Sequence, residues 1–263
     1  MDLGLSGARV LVAASSKGLG FATARQFSRE GARVAINGRH ATSLEQAAQA
    51  IRDDSGGDVV PLVGDVSDPD GAEGLVRNAV DVLGGLDVLV TNAGGPPPGT
   101  FDSVPLDAWQ RAFDLSVMSA VRLIHAALPH LRQSDRAAIL TITSVTVKQP
   151  IDNLILSNSV RMGVVGLSKS LSIELGPEGI CVNSIMPGWT RTERVTQLNA
   201  ARAEREGRTP DEIAAQQTAG TPLRRMGTPD EFANVAVFLC SPAAGYVHGA
   251  MVPVDGGSIR ATL

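Results

Sequence analysis

The chain has 263 residues, 43% of them hydrophobic, which suits one α/β domain with a buried core and leaves no block of charge that would argue for disorder. A net charge of −4 gives no electrostatic ground for binding nucleic acid or an anionic membrane. There is no apolar run of about 18 residues and no charged-then-apolar leader, and the two cysteines, Cys181 and Cys240, lie far apart, so buried thiols in a reducing, cytoplasmic compartment are expected, with no metal or disulfide role.

Taken in chain order, short apolar β-branched runs alternate with longer helical patterns. A strand at 9–13 runs into the turn Ala14-Ser15-Ser16-Lys17-Gly18-Leu19-Gly20, and a helical pattern near 19–30 follows. Glycine here lets the backbone turn tightly and approach a ligand closely, and the helix N-terminus adds free N–H groups and partial positive charge, which suit a pyrophosphate. A second strand, 33–37, ends in Asn37-Gly38-Arg39. An acidic residue at this place would bind the adenosine ribose 2′-hydroxyl and favour NAD. Here Arg39, with Lys17 in the turn, can instead take a 2′-phosphate, which favours NADP(H) over NAD(H).

A helical pattern at 42–53 is given Thr42 as N-cap. The strand at 59–63 leads to Asp65-Val66, and Asp68 with Pro69 opens a helix over 69–83. The strand at 88–91 is followed by Asn92-Ala93-Gly94 and by the loop 95–99, whose three prolines suggest a stiff pocket wall. A long helical pattern, 105–132, carries Ser116, His125 and His130. A fifth strand, 137–143, ends at Ser144, with Lys148 on the loop beyond it, and a helix over 155–176 carries Ser157 and Arg161. The sixth strand, 181–185, leads to Pro187-Gly188, Thr190 and Thr192. Residues 189–228 hold about two short helices, read as a substrate lid, and 251–254 is the last strand. Strands alternating with helices imply right-handed βαβ units. The expected fold is a Rossmann-type α/β domain spanning 1–263, a doubly wound parallel seven-stranded sheet with helices on both faces.

With these residues in place, the whole chain resembles the short-chain dehydrogenase/reductase family, and in particular its 3-oxoacyl-(acyl-carrier-protein) reductase-like members. The turn looks like the family's Thr-Gly-x-x-x-Gly-x-Gly with Ala14 in place of the first glycine, and Asn92-Ala93-Gly94 matches the family's Asn-Ala-Gly. Asp65-Val66 looks like the pair that holds the adenine, Pro187-Gly188 with Thr192 resembles the segment that cradles the nicotinamide, and Val254-Asp255-Gly256-Gly257 matches the usual last strand and turn. The resemblance implies a cofactor site over Ala14, Ser16, Lys17, Gly18, Leu19, Gly20, Asn37, Arg39, Asp65, Val66, Asn92, Ala93, Gly94, Arg161, Pro187, Gly188, Thr190 and Thr192. It also implies a small-molecule substrate and a homotetramer or homodimer joined through the helices at 105–132 and 155–176.

The catalytic set departs from the family. The family Ser matches Ser144, but the Tyr thirteen positions on is Ser157, the Lys four beyond that is Arg161, and the upstream helical Asn is Ser116. A serine hydroxyl is a far weaker acid than a phenol, and an arginine keeps charge without passing protons readily. Lys148, four residues after Ser144, is a candidate replacement acid or base, with Asp152, Glu193, His248 and the lone tyrosine, Tyr246, as weaker ones. No metal-ligand cluster stands out. Three functions stay open: an atypical NADP(H) oxidoreductase acting on a carbonyl, alcohol or activated double bond, which is favoured; a dehydratase, isomerase or cyclase on the same scaffold; and a dinucleotide-binding protein without catalysis.

Overall fold

The computed structural model describes residues 1–262. Seven parallel strands form one sheet in the order β3-β2-β1-β4-β5-β6-β7. They are β1 (Arg9–Val12), β2 (Arg33–Gly38), β3 (Val59–Val63), β4 (Val88–Thr91), β5 (Ala138–Ile142), β6 (Cys181–Pro187) and β7 (Met251–Val254). The expected doubly wound sheet is present, with strand ends moved by one or two residues. In β4 and β5 every residue is buried, as helices on both faces require.

The helices are α1 (Gly18–Arg29), α2 (Ala41–Ser55), α3 (Pro69–Leu83), α4 (Leu106–Phe113), α5 (Ser119–Leu131), α6 (Ile155–Leu175), α7 (Glu193–Glu206), α8 (Pro210–Gly220) and α9 (Pro229–Leu239). One apolar cluster joins α1, α2 and α9 to the sheet through Phe27, Leu44, Ile51 and Phe232, all fully buried. A second cluster joins α3 and α5 to the opposite face through Leu75, Leu83, Leu123 and Leu131. Each such side chain contributes about 1.5–3 kcal/mol relative to exposure. The helical run Leu106–Leu131, at mean hydropathy 1.2 over its most apolar window, could cross a membrane by length and composition alone, yet its apolar residues Leu123, Ile124, Ala127 and Leu131 pack into this core.

Capping follows the sequence at α3, where the Asp68 side chain accepts from Gly71 N at 3.2 Å and Pro69 fills the first turn. It does not at α2. The helix starts at Ala41 after His40, so Thr42 lies inside its first turn rather than capping it. Between α4 and α5 the helix widens into a π turn over Asp114–Met118.

The amino-terminal edge of the sheet is pinned by one buried carboxylate. Asp87, only 3% exposed, accepts from Arg9 Nη2 at 2.5 Å, Arg9 Nε at 2.9 Å, Arg9 N at 2.8 Å and Ser134 Oγ at 2.7 Å. Burial alone would raise its pKa, but the hydrogen bonds from Arg9 and Ser134 and the Arg9 charge outweigh that and hold it below the usual carboxylate range. A carboxyl whose folded pKa is depressed adds stability above its unfolded value, about 3.9, and loses it as pH falls through the folded value. Asp87→Asn should therefore lower stability at pH 7 by about 2–3 kcal/mol, since Arg9 keeps partial access to water. In urea melts at pH 7 and pH 3 the difference between variant and parent should shrink at the lower pH; an equal difference at both would contradict the assignment.

Candidate active site

Spatial order in the sheet reverses between β1 and β4, and ligands of open α/β sheets bind outside the carboxyl ends of the strands at such a point. A cleft of about 600 Å³ opens there. It is lined by the turn after β1, the ends of β2, β4, β5 and β6, the start of α6 and the start of α7.

The turn after β1 is held by buried polar side chains. Asn37 Oδ1 accepts from Ala14 N at 3.1 Å, and Asn37 Nδ2 donates to Leu62 O and Gly64 O, each at 3.1 Å. Ser15 Oγ donates to Val12 O at 2.6 Å and accepts from Asn37 N at 2.9 Å, while Asn92 Nδ2 donates to Ala14 O at 3.0 Å. Asn37 was expected among the ligand contacts. It borders the cleft, but its amide is spent on backbone, so it positions the turn instead. Ala14 stands at φ +46°, a left-handed conformation that explains why glycine is common there and that this network sustains. Gly20 serves packing. A Cβ at this position would come 2.6 Å from Ala14 O and 2.8 Å from Asn92 Nδ2, so α1 can start this close to the turn only with glycine.

The cradle fits a dinucleotide phosphate. Gly18 opens α1 at φ +62°, with only Thr192 Cγ2, at 3.9 Å, near the place a Cβ would take. The N–H groups of the first turn thus border an open cavity with no acidic residue in that turn. Ser16, Lys17, Gly18, Leu19, Val66, Ala93, Gly94, Pro187, Gly188, Thr190 and Thr192 line the same cleft. Thr190 is buried and donates to Gly188 O at 3.3 Å. Thr192 caps α7, its Oγ1 accepting from Val195 N at 3.4 Å, which leaves its proton to donate. Arg39 is exposed at the rim, its Nη1 3.9 Å from Asp65 Oδ2. Asp65 is already bound by Ser67 N at 3.0 Å and Ser67 Oγ at 2.7 Å. Lys17 does not stand with Arg39 as expected; its Nζ reaches Glu193 Oε2 at 2.7 Å, bridging the turn to the first turn of α7.

At the other end, Ser144, Ser157 and Arg161 come together. Ser144 Oγ accepts from Thr146 N at 3.2 Å, and Thr146 Oγ1 lies 3.3 Å from Ser157 Oγ. Thr146 is buried, and nothing in the sequence pattern marked it. Arg161 donates from Nη1 to Thr143 O at 3.2 Å and Ile142 O at 3.4 Å, the two carbonyls just before Ser144. Burial, with a smaller push from the Arg194 charge, lowers the Arg161 guanidinium to about 10, so it remains a cation at neutral pH. Arg194 also lines the cleft and donates from Nη2 to Pro96 O at 2.5 Å. It was not anticipated, although it falls two residues after Thr192.

Several candidates are not brought in. Lys148 is exposed on the loop after a short 3₁₀ turn, Val145–Val147, which carries it away from the cleft lining. Ser116 is buried with its Oγ unpaired, because the π turn presents Leu115 to the cleft instead. His248 is held between Val182 N, at 3.3 Å from its Nδ1, and Ser172 O, at 2.6 Å from its Nε2, behind α6. Asp152 and Tyr246 are exposed and, like His125 and His130, lie outside the lining. Glu193 is in the lining but is engaged by Lys17. Burial pushes both cysteine thiols up, away from reactive thiolates. Among the described residues no group of acidic, histidine or cysteine side chains could hold a metal.

Residues 13–258 match a family model described as enoyl-(acyl carrier protein) reductase. The chain is 35% identical over 254 residues to an L-rhamnose 1-dehydrogenase (NAD(P)(+)) of Sphingomonas sp. strain SKA58, covering 96% of each chain. The L-sorbose reductase of Gluconobacter frateurii, solved with NADPH and L-sorbose, superposes with a TM-score of 0.94 at 31% identity, over 99% of this chain and 100% of that one. An NADPH-bound short-chain oxidoreductase of Pseudomonas aeruginosa PAO1, described as containing an atypical catalytic center, superposes with a TM-score of 0.89 at 30% identity, over 98% and 99%.

Proposed function

The chain belongs to the short-chain dehydrogenase/reductase family, and from that premise we propose that it is an NADP(H)-dependent oxidoreductase acting on a small carbonyl, alcohol or activated double bond. The observation that carries this reading is one continuous cleft containing the glycine turn, Arg39 at the rim and Ser144 with Arg161 at the far end. Arg39 would take the 2′-phosphate, the first turn of α1 the pyrophosphate, Arg161 the hydroxyls of the nicotinamide ribose, and Pro187-Gly188 with Thr192 the nicotinamide. NADPH-bound relatives, one of them described as containing an atypical catalytic center, support NADPH as the cofactor.

The nicotinamide, when bound, supplies or accepts a hydride. The chain's own residues then govern the substrate oxygen. Ser144 Oγ already accepts from Thr146 N, which leaves its proton free to donate to that oxygen. Arg161 holds a fixed positive charge behind it and favours the negative charge that develops there. Ser157 replaces the phenol with a weaker acid, and its contact with Thr146 Oγ1 provides a hydroxyl relay along which water delivers the proton. A substrate that carries its own acidic proton relaxes the same demand.

In this reading α7 and α8 form a lid over the substrate, with the Lys17–Glu193 ion pair joining it to the cofactor turn. The protein works as a cytoplasmic homotetramer or homodimer built on α4, α5 and α6, where Leu106, Phe113 and Met162 are exposed; a monomeric mass by light scattering would refute the assembly. The function is tested by following NADPH absorbance with a panel of aldehydes, ketones and enones. Oxidation of NADPH with at least one class is expected. Binding of NADPH without turnover across the panel would leave a binding protein, and product formed at constant NADPH would mark a non-redox enzyme.

A further inference from the structure

Lys17, Arg39, Arg161 and Arg194 line the cleft against only two carboxylates, Asp65 and Glu193. Both carboxylates are already engaged. Asp65 is bound by Ser67 and faces Arg39, and Glu193 is paired with Lys17. That leaves two guanidinium groups without an anionic partner among the described residues, and both are partly buried. Arg161 makes only its two hydrogen bonds to Ile142 O and Thr143 O. Arg194 makes only the one to Pro96 O. Burial lowers the pKa of each, and the Arg194 charge lowers that of Arg161 further, so the two cations of this one cleft repel each other.

A partly desolvated charge without a counter-ion is unfavourable, and a second one of the same sign nearby adds to that cost. Surface arginines of this chain avoid it, as Arg29 does with Asp54 and Arg132 with Glu178. The two cleft arginines have no such relief from the protein. The part of the dinucleotide expected at Arg161 is a ribose, whose hydroxyls are neutral and leave its charge uncompensated. In the proposed reading the pyrophosphate has its own receptor in the first turn of α1. Arg194 is anchored instead on the loop after Asn92-Ala93-Gly94, over Gly95, where a Cβ would come 3.0 Å from its Nε. Arg161 is anchored on the strand end that carries Ser144. Around them Leu154, Ile151, Val195 and Leu198 supply apolar walls.

We infer that the substrate of this cleft carries a carboxylate, which Arg194 and Arg161 receive together, so that the substrate class is an oxo- or hydroxycarboxylic acid with an apolar body. The inference rests on the redox reading for the carbonyl or alcohol that accompanies the carboxylate. The carboxylate itself requires only the two arginines. The planar fork of a guanidinium suits a carboxylate, and such bonds are roughly twice as strong as neutral ones. The anion also offsets the repulsion between the two guanidinium groups.

The test uses the full chain and matched probes. Pyruvate, 2-oxopentanoate, 4-oxopentanoate and benzoylformate are compared with their methyl esters by calorimetry, in the presence and absence of saturating NADP⁺. At least one acid should bind about tenfold or more tightly than its ester, the gain expected of one charge-assisted hydrogen-bonded pair. Arg194→Met should abolish that preference, Arg194→Lys should retain part of it, and neither should alter NADPH affinity measured by fluorescence. Equal binding of every acid and its ester overturns the inference. So does an Arg194→Met protein that keeps the acid preference but loses NADPH affinity, which would assign the cations to the cofactor's phosphates. Failure of the parent protein to bind NADPH would overturn the redox reading alone, because the acid–ester comparison without dinucleotide still reports on the arginines. Melting curves of both variants, matching the parent, verify that the comparison is made on folded protein.

Discussion

Ser144→Ala is expected to lower kcat for NADPH-dependent reduction by about 10²–10³-fold, the usual cost of removing one donor to a developing oxyanion. NADPH affinity should be essentially unchanged, because Ser144 lies at the end of β5, apart from the turn after β1 proposed for the phosphates. The size of the effect follows from the missing phenol. In a site with a Tyr, the serine shares the substrate oxygen with a second donor of good acidity. Here the serine proton is the principal hydrogen bond on offer, since Ser157 is turned to Thr146. Steady-state rates and a fluorescence titration on the same preparations check it. A variant with parental turnover would remove Ser144 from the chemistry.

Arg39→Ala should raise the Kd for NADPH by about 10–100-fold and leave that for NADH nearly unchanged, from the 1.5–3 kcal/mol typical of a hydrogen bond to a charged group. The side chain is exposed and its nearest carboxylate, Asp65, is 3.9 Å away, too far for a tight ion pair that would compete with a phosphate. Lys17 offers little backup while Glu193 holds it. The difference between the two dinucleotides should also shrink with added salt, because the contact is at the rim and screened. Equal losses for NADPH and NADH would mean that Arg39 supports the site without reading the 2′-phosphate.

Much of this molecule is written in local pattern. The alternation of buried β-branched runs with helical periods determined a parallel sheet, because strands covered on both faces must be apolar throughout and must be joined by crossover helices. The turn at 14–20 was legible for a similar reason: only small residues let a helix start that close to the preceding strand, and a Cβ at Gly20 would collide with Ala14 O and Asn92 Nδ2. Ser157 and Arg161 fall four residues apart on one unbroken helix, as the spacing implied.

What the sequence left open depends on contacts between distant segments. Lys148 stands four residues after Ser144, but the intervening 3₁₀ turn sends it to solvent. Ser116 is placed by a π turn that sequence periodicity does not signal, and Leu115 takes the cleft position. Asn37 has the composition of a ligand contact and the hydrogen bonds of a brace, which only the approach of Ala14, Leu62 and Gly64 decides. Arg194 gains meaning from the proline loop nearly a hundred positions earlier in the chain and from Arg161, a second cation without a carboxylate. The sequence by itself determined the fold and pointed to a place for a dinucleotide, because both follow from backbone geometry and short-range spacing. Tertiary structure decided which charges are paired and which are left for a ligand, because electrostatic partners are chosen by proximity in space and by loss of water, neither of which local sequence specifies.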